Sequence, residues 1–434
     1  MSKTTQSNQL PLCSTSNGIT MTRAFHPIGH GAFYTERFMQ NDECKFSVVF
    51  DCGCYEAFKG GVPAGVFEDR IKRAIDNFYP KDKETINLLF ISHFHTDHIN
   101  GIEYLKDKCH IERIIVPQLT PEIVIEAYVF NYIQTAETDQ SDGTPSIEPS
   151  DNTANKWIIT LYEHRNNPEN GDFPKVIQVQ ESKTDTEKKD IEETNIPLSE
   201  LSDSISPQTK INCPIGEDSG IFSWLYIPFN LQLDKQKQKL LQDSIFKGAI
   251  DQEGNVNFKE LNKILKDTNI EDLKKAYKKV FGKKHNSYSM TVFSGTECHR
   301  CFKYCHIRLL DFLRTKLCHY IPRYCTLNCL YCGDFEANPD YPKKECNTNG
   351  EKLTKYYQRY WDKIGLLQVP HHGSMHNLNE SLYKPEKICI ISAGKTDKYQ
   401  HPNMPVLQAI WKAGSIPIIV TEDTRTQQEF TYHL

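Results

Sequence analysis

Three histidines and an aspartate fall within the run Ser92-His93-Phe94-His95-Thr96-Asp97-His98. Neutral imidazoles and carboxylates suit Zn²⁺ or Mn²⁺, and a run without thiolate does not suit a closed structural zinc site. The pattern points to an open metal site of the kind that does catalysis.

Such ligands need rigid support, and the sequence supplies it. Ile86 to Ile91 is a nearly continuous apolar run that reads as a strand buried on both faces, so the histidines begin where that strand stops. Upstream, Thr20 to Phe25, Ala32 to Phe38 and Phe46 to Phe50 read as short strands separated by Gly/His and Asn/Asp turns, and Val66 to Phe78 as a helix. Downstream, strands are expected at Trp157 to Tyr162, Lys175 to Val179, Ser223 to Pro228, Tyr288 to Phe293, Thr326 to Tyr331, Gly365 to Val369, Ile388 to Ser392 and Ile416 to Val420. Residues 1–18 read as a disordered polar tail. Insertions are expected at about 120–220 (acidic and loop-rich), 231–284 (helical and basic) and 296–325 (rich in Cys and His).

The metal run resembles the His-x-His-x-Asp-His motif of the metallo-β-lactamase superfamily, including Ser92 before it and Asn100-Gly101 after it. The resemblance implies an α/β (α+β) chain folded as a four-layer αββα sandwich with large insertions, spanning 19–434. It also implies two divalent metal ions, Zn or Mn. Asp51, at the end of Val48-Val49-Phe50-Asp51, would order the ligand loop from the second shell. Asp334, closing Leu330-Tyr331-Cys332-Gly333-Asp334, would bridge both ions. The phrase Val369-Pro370-His371-His372-Gly373-Ser374 would supply the last histidine: His372 is favoured, with His371 and Ser374 behind it. His93 and His95 would hold one ion, and Asp97, His98 and His372 the other.

Within the superfamily the chain is most similar to the hydrolase domain of the DNA-internalisation competence proteins, through Pro27-Ile28-Gly29-His30-Gly31, the Pro370-to-Ser374 phrase, and Ile391-Ser392-Ala393-Gly394 with Tyr399-Gln400-His401-Pro402. The likeness covers roughly 20–115, 220–230 and 285–434. The competence proteins are mainly membrane channels, so transport is not implied here. His30 replaces their glutamine and is either a substrate contact or a turn histidine. His285 has the spacing of the superfamily's third histidine ligand, whereas Asn286 matches the competence pattern. His401 is either a proton donor at the pocket rim or a histidine fixing the turn before Pro402.

At 434 residues and 25% charged the chain can bury a sizeable core, while a net charge of −5 excludes a surface dominated by phosphate-backbone contacts. The basic cluster Lys274, Lys275, Lys278, Lys279, Lys283 and Lys284 is either a solvated helix face or a phosphate-binding edge. With neither a secretory leader nor an apolar span, a cytoplasmic protein without membrane contact is expected. Fifteen cysteines, an odd number, fit reduced thiols, although Cys298, Cys301, Cys305 and Cys318 with neighbouring histidines could hold an additional structural Zn.

The expected reaction is phosphodiester cleavage by a metal-bridging hydroxide, with Asp97 orienting the nucleophile and DNA the favoured partner. A nucleotide or other small phosphodiester, a thioester, lactone or lactam, and a catalytically silent binding module stand as alternatives.

Overall fold

The computed structural model of the chain describes residues 18–55, 66–138, 148–165, 173–182, 194–207, 209–215, 223–231, 235–282, 288–297, 304–308, 327–339, 348–395 and 399–434. Strand β1 (Ile19–Phe25) pairs antiparallel with β2 (Gly31–Gln40), which turns into β3 (Glu43–Cys54) through Asn41-Asp42. Both turn residues have positive φ, 51° and 63°. That is the geometry of a two-residue hairpin turn matching the right-handed strand twist, and Asn and Asp tolerate it.

Helix α1 (Val66–Phe78) leads to β4 (Glu84–Ile86) and β5 (Leu88–Phe90). The single strand expected over Ile86 to Ile91 is broken at Asn87, whose backbone N–H donates to Ser47 O and whose Oδ1 accepts from Ser47 N, both at 2.9 Å. After the short helices α2 (Thr96–Ile99) and α3 (Ile102–Lys108), β4 is paired by β6 (Cys109–Ile111), while β5 lies between β3 and β7 (Arg113–Pro117).

The stretch expected as a loop-rich insertion instead builds much of the framework. It holds α4 (Pro121–Thr138), α5 (Thr153–His164), β8 (Lys175–Val179), β9 (Thr194–Pro197), β10 (Ser204–Ile205) and β11 (Thr209–Pro214). The strand expected at Trp157 to Tyr162 is the body of α5. Asn152 caps that helix by accepting from Asn155 N, and Ala154, Trp157, Ile158, Leu161 and Tyr162 are buried. Their i, i+3, i+4 spacing is a helical face, which outweighs the strand preference of the aromatic and β-branched residues in the run.

After β12 (Ser223–Phe229) comes the expected helical segment, α6 (Lys235–Gln242), α7 (Phe258–Asp267) and α8 (Ile270–Phe281). The chain continues through β13 (Thr291–Gly295), β14 (Tyr304–Arg308) and β15 (Asn328–Tyr331), then α9 (Asn349–Tyr356) and α10 (Gln358–Trp361). It closes with β16 (Ile364–Gln368), β17 (Ile388–Ser392), α11 (Met404–Lys412), β18 (Ile416–Val420) and β19 (Gln428–His433).

The described strands form a nine-stranded sheet, β10-β8-β7-β5-β3-β2-β1-β19-β14, and an eight-stranded sheet, β18-β17-β16-β15-β13-β12-β11-β9. Three buried clusters fix the layering. One joins the inner faces of both sheets, with Phe50, Phe90, Trp224, Tyr226, Tyr331 and Ile390 among its members. A second packs α1, α3, α4, α5 and α8 on the outer face of the nine-stranded sheet. A third packs α9, α10 and α11 on that of the eight-stranded sheet. No described helix is long and apolar enough to cross a membrane.

Candidate metal centre

The strands β3, β5 and β7 of one sheet run parallel to one another, as do β15, β16, β17 and β18 of the other. Their carboxyl ends are where ligand-binding loops leave an α/β sheet. The run Ser92–His98 follows β5, Asp334 follows β15, and His371-His372 follow β16. Two glycines let these loops approach. A Cβ at Gly53 would stand 2.5 Å from His98 N, so the ligand turn packs directly on the β3 backbone. A Cβ at Gly333 would stand 2.5 Å from the Ser92 side chain, and Gly333 has φ 50°, which favours glycine.

Asp51 organises the turn. Its Oδ1 accepts from Ser92 N at 2.6 Å, and its Oδ2 accepts from Ser92 Oγ at 2.7 Å and lies 2.8 Å from His98 Nδ1. The opposite nitrogen, His98 Nε2, then faces Asp334 Oδ1 at 3.3 Å and Asp97 Oδ2 at 3.7 Å. From the other sheet, His372 Nδ1 is 2.9 Å from the Ser392 carbonyl, which directs its Nε2 to Asp97 Oδ2 at 3.2 Å and Asp334 Oδ1 at 3.5 Å. The result is a buried group of Asp97, His98, Asp334 and His372 whose candidate ligand atoms all lie within 4.8 Å of one another.

No known family model matches this chain, and no curated protein matches it.

The donor set fits a divalent cation. Two imidazoles and two carboxylates form a nitrogen and oxygen set suited to Zn²⁺ or Mn²⁺. The Nε2 atom of His93 is buried with no hydrogen-bond partner among the described residues, a cost that a bound cation would remove. The electrostatics agree. Burial works against a charged His98, yet Asp97, Asp51 and Asp334 together raise its pKa well above the usual histidine range. Burial likewise opposes ionisation of Asp334, but His371, His372 and His98 hold it well below the usual carboxylate range. Asp97 follows the same pattern: burial raises it, and His98 and His372 more than offset this. These carboxylates are therefore ionised while buried, the condition under which a cation is attracted most strongly.

His93 and His95 stand beside this group. His93 Nδ1 is 3.0 Å from Ser92 Oγ, and its Nε2 is 4.0 Å from Asp334 Oδ2. Burial, with His98 and His95 alongside, holds His93 well below the usual histidine pKa and keeps it neutral. His95 turns its Nε2 towards Glu126 Oε2 at 3.6 Å.

Of the adjacent pair, His372 is buried and reaches the carboxylates, whereas the side chain of His371 is 32% exposed. His371 accepts from Asn377 Nδ2 at 3.0 Å, with its Nδ1 3.8 Å from Asp334 Oδ2. Both have left-handed φ, 50° and 53°, as does Asp51 at 53°. Such backbone costs about 1–2 kcal/mol per non-glycine residue and concentrates at functional sites. Ser374 is buried and its backbone N–H donates to His371 O at 2.8 Å, but its hydroxyl makes no hydrogen bond to the group among the described residues. The His30 ring lies 3.7 Å from the His372 ring, and His401 lies 5.7 Å from His30 and 6.0 Å from His371. Tyr399, 55% exposed, stacks on His401 at 5.8 Å, completing a rim of aromatic rings.

His285 and Asn286 lie outside the described residues, as do Cys298, Cys301 and Cys318 of the candidate structural zinc; Cys305 falls on β14. Within the basic cluster, Lys274 pairs with Glu137 and Glu271, and Lys275 with Asp272; Lys283 and Lys284 are outside the described residues.

Several supporting residues escape the sequence reading. Ser289 Oγ accepts from Asp334 N at 3.0 Å, and Gln368 accepts from Cys332 N at 2.7 Å while donating to Gly333 O at 3.2 Å, which pins the Asp334 turn. Glu126 was legible only as a lone acid in the apolar run Ile123-Val124-Ile125-Glu126-Ala127-Tyr128-Val129.

Proposed function

We propose that the chain is a metal-dependent hydrolase of the metallo-β-lactamase type, cleaving phosphodiester bonds, with DNA the favoured substrate. The observation that carries this reading is the buried Asp97, His98, Asp334 and His372 group, drawn from the carboxyl ends of strands in both sheets. Two large sheets meeting face to face with helices outside them also support the αββα sandwich that the sequence resemblance implies.

Divalent ions at this site supply Lewis acidity and lower the pKa of water towards 7. The chain's own residues do the rest. Asp51 and the Ser392 carbonyl fix the tautomers of His98 and His372, so that each presents Nε2. The Asp97 carboxylate, held ionised by its histidine neighbours, accepts a hydrogen bond from the attacking water and orients it. His30 and His401 at the rim hydrogen-bond a phosphoryl oxygen, and His401 gives a proton to the leaving oxygen.

A second reading, hydrolysis of a nucleotide or another small phosphodiester, is favoured by one observation. Lys274 and Lys275 of α8 are paired with acidic neighbours, which weakens a path for a long polyanion.

The test is cleavage of single- and double-stranded DNA, bis-(p-nitrophenyl) phosphate and cyclic nucleotides in Mn²⁺, Zn²⁺ and Mg²⁺, beside Asp97→Ala/His98→Ala. Metal-dependent DNA cleavage that vanishes in the variant supports the nuclease. Cleavage of the small esters alone selects the second reading, and protein that binds no divalent ion sinks both.

A further inference from the structure

Among the described helices of the 120–284 stretch, α4 touches the ligand run: its Asn131 accepts from Thr96 N and donates to Phe94 O, and its Glu126 faces His95. Glu126 of α4 is 3% exposed, and its Oε2 lies 3.6 Å from His95 Nε2. Tyr277 of α8 donates its hydroxyl to Glu126 Oε1, and Tyr288 donates to Oε2. One helical turn beyond Glu126, the Phe130 ring stacks on the His95 imidazole with centroids 4.1 Å apart and planes 25° from parallel. The ring is thus fixed in plane by Phe130 and in rotation by Glu126.

A carboxylate ringed by donors is an acceptor. Both oxygens of Glu126 already accept a hydrogen bond from a tyrosine hydroxyl, and Oε2 also faces an imidazole nitrogen. A neutral imidazole carries one N–H and one lone pair, so a carboxylate that binds Nε2–H leaves the lone pair on Nδ1. His95 Nδ1 makes no hydrogen bond among the described residues.

The geometry points to Glu126 as the positioning residue for His95: from an inserted helix it holds the proton on Nε2 and so makes Nδ1 the atom offered to a divalent ion. This rests on the metal-site reading above. It assigns α4 and α8 a purpose that does not involve substrate, namely completing the half of the centre that Asp97, His98, Asp334 and His372 do not supply. Carboxylates that orient a ligand histidine typically change metal affinity 10–100-fold when removed.

The test compares wild type, Glu126→Gln and His98→Ala, each loaded with Zn²⁺ or Co²⁺, for ions per chain and for affinity by chelator competition. Circular dichroism of the metal-free proteins checks folding. The expected result is that Glu126→Gln stays folded, holds one ion with wild-type affinity, and binds the other roughly 10–100-fold more weakly. A Glu126→Gln protein with unchanged stoichiometry and affinity overturns the assignment while leaving the metal centre intact. A wild type that binds no ion overturns the metal reading itself, and this assignment with it. Should Glu126→Gln fail to fold, long-range ¹⁵N correlation spectra of Zn-loaded wild type decide, with the His95 signals assigned by their loss in His95→Gln. A protonated Nε2 with Nδ1 as ligand supports the proposal, and the reverse assignment, or Glu126 itself as ligand, refutes it.

Discussion

Asp51 Oδ2 lies 2.8 Å from Nδ1 of His98, on the side of the ring away from the centre. A residue that reaches no substrate therefore decides which nitrogen of His98 faces Asp97 and Asp334. Because Asp51 also accepts from Ser92 N and Oγ, one carboxylate fixes both the ligand turn and a ligand.

Replacing Asp51 tests that arrangement. In Asp51→Ala, metal affinity should fall roughly 10–100-fold, and metal-free stability by about 1–3 kcal/mol for the donors left unpaired. Asn accepts the left-handed φ of 53° better than Ala does, so Asp51→Asn should lose affinity with a smaller stability cost. Calorimetric titration with Zn²⁺ and urea unfolding give the two numbers, and equal affinities in all three proteins would refute the role.

Metal should stabilise the fold through the same group. Zn²⁺ at about a hundred times its Kd adds about 2.7 kcal/mol, which raises Tm by a few degrees in a chain of this size. In Asp97→Asn/Asp334→Asn the rise should disappear. A rise of equal size in that variant would place the ion elsewhere.

Lys387 provides a pH effect independent of the centre. It is buried, its Nζ donates to Trp361 O at 3.2 Å and Ile364 O at 3.1 Å, and burial pushes its pKa down to about 8. The unfolded value is about 10.4. Between those values the unfolded chain binds more protons than the folded one, so this residue makes stability rise as pH increases from about 8 towards 10. The stability difference between wild type and Lys387→Met, measured by urea unfolding, should grow in favour of wild type across that window and stay flat from pH 6 to 7. A flat difference throughout would mean that the lysine keeps its ordinary pKa in the fold and stays charged across the window.

Between the sheets, Arg23 and Glu36 form a fully buried ion pair at 2.7 Å. Tyr331, Tyr226 and Ser294 donate to the Glu36 carboxylate. Removing one charge leaves the other buried and unpaired, so Arg23→Met should cost about 3–5 kcal/mol. Arg23→Met/Glu36→Leu should recover most of this. Both proteins should bind metal as the wild type does once folded, and a double variant no more stable than the single one would show that the loss is one of packing.

Much of the strand framework was legible because strands bury continuous or alternating apolar runs, as at Phe46 to Phe50 and Ile388 to Ser392. Trp157 to Tyr162 misled because its aromatic and β-branched residues suit a strand, while its helical period shows only once Ala154 and the Asn152 cap are included. Lys175 to Val179 was read as a strand and is β8, whereas the acidic composition of the 120–220 stretch concealed β10 at the edge of one sheet and β9, beside β11, at the edge of the other. Edge strands need few apolar residues, so composition describes their surroundings more than their pairing.

By itself the sequence determined the local chemistry: three histidines and an aspartate spaced to share one turn after a strand, with Asp334 and His371-His372 after later strands. Ligand spacing within a turn is set by covalent geometry, so it can be read directly. Tertiary structure alone decided that His372 reaches both Asp97 and Asp334 while His371 stands 3.8 Å from Asp334, that Asp51 holds His98, and that Glu126, itself held by Tyr277, and Phe130 flank His95. Which nitrogen an imidazole presents depends on what bonds the other one, and those partners come from distant elements that meet only when the sheets and helices pack.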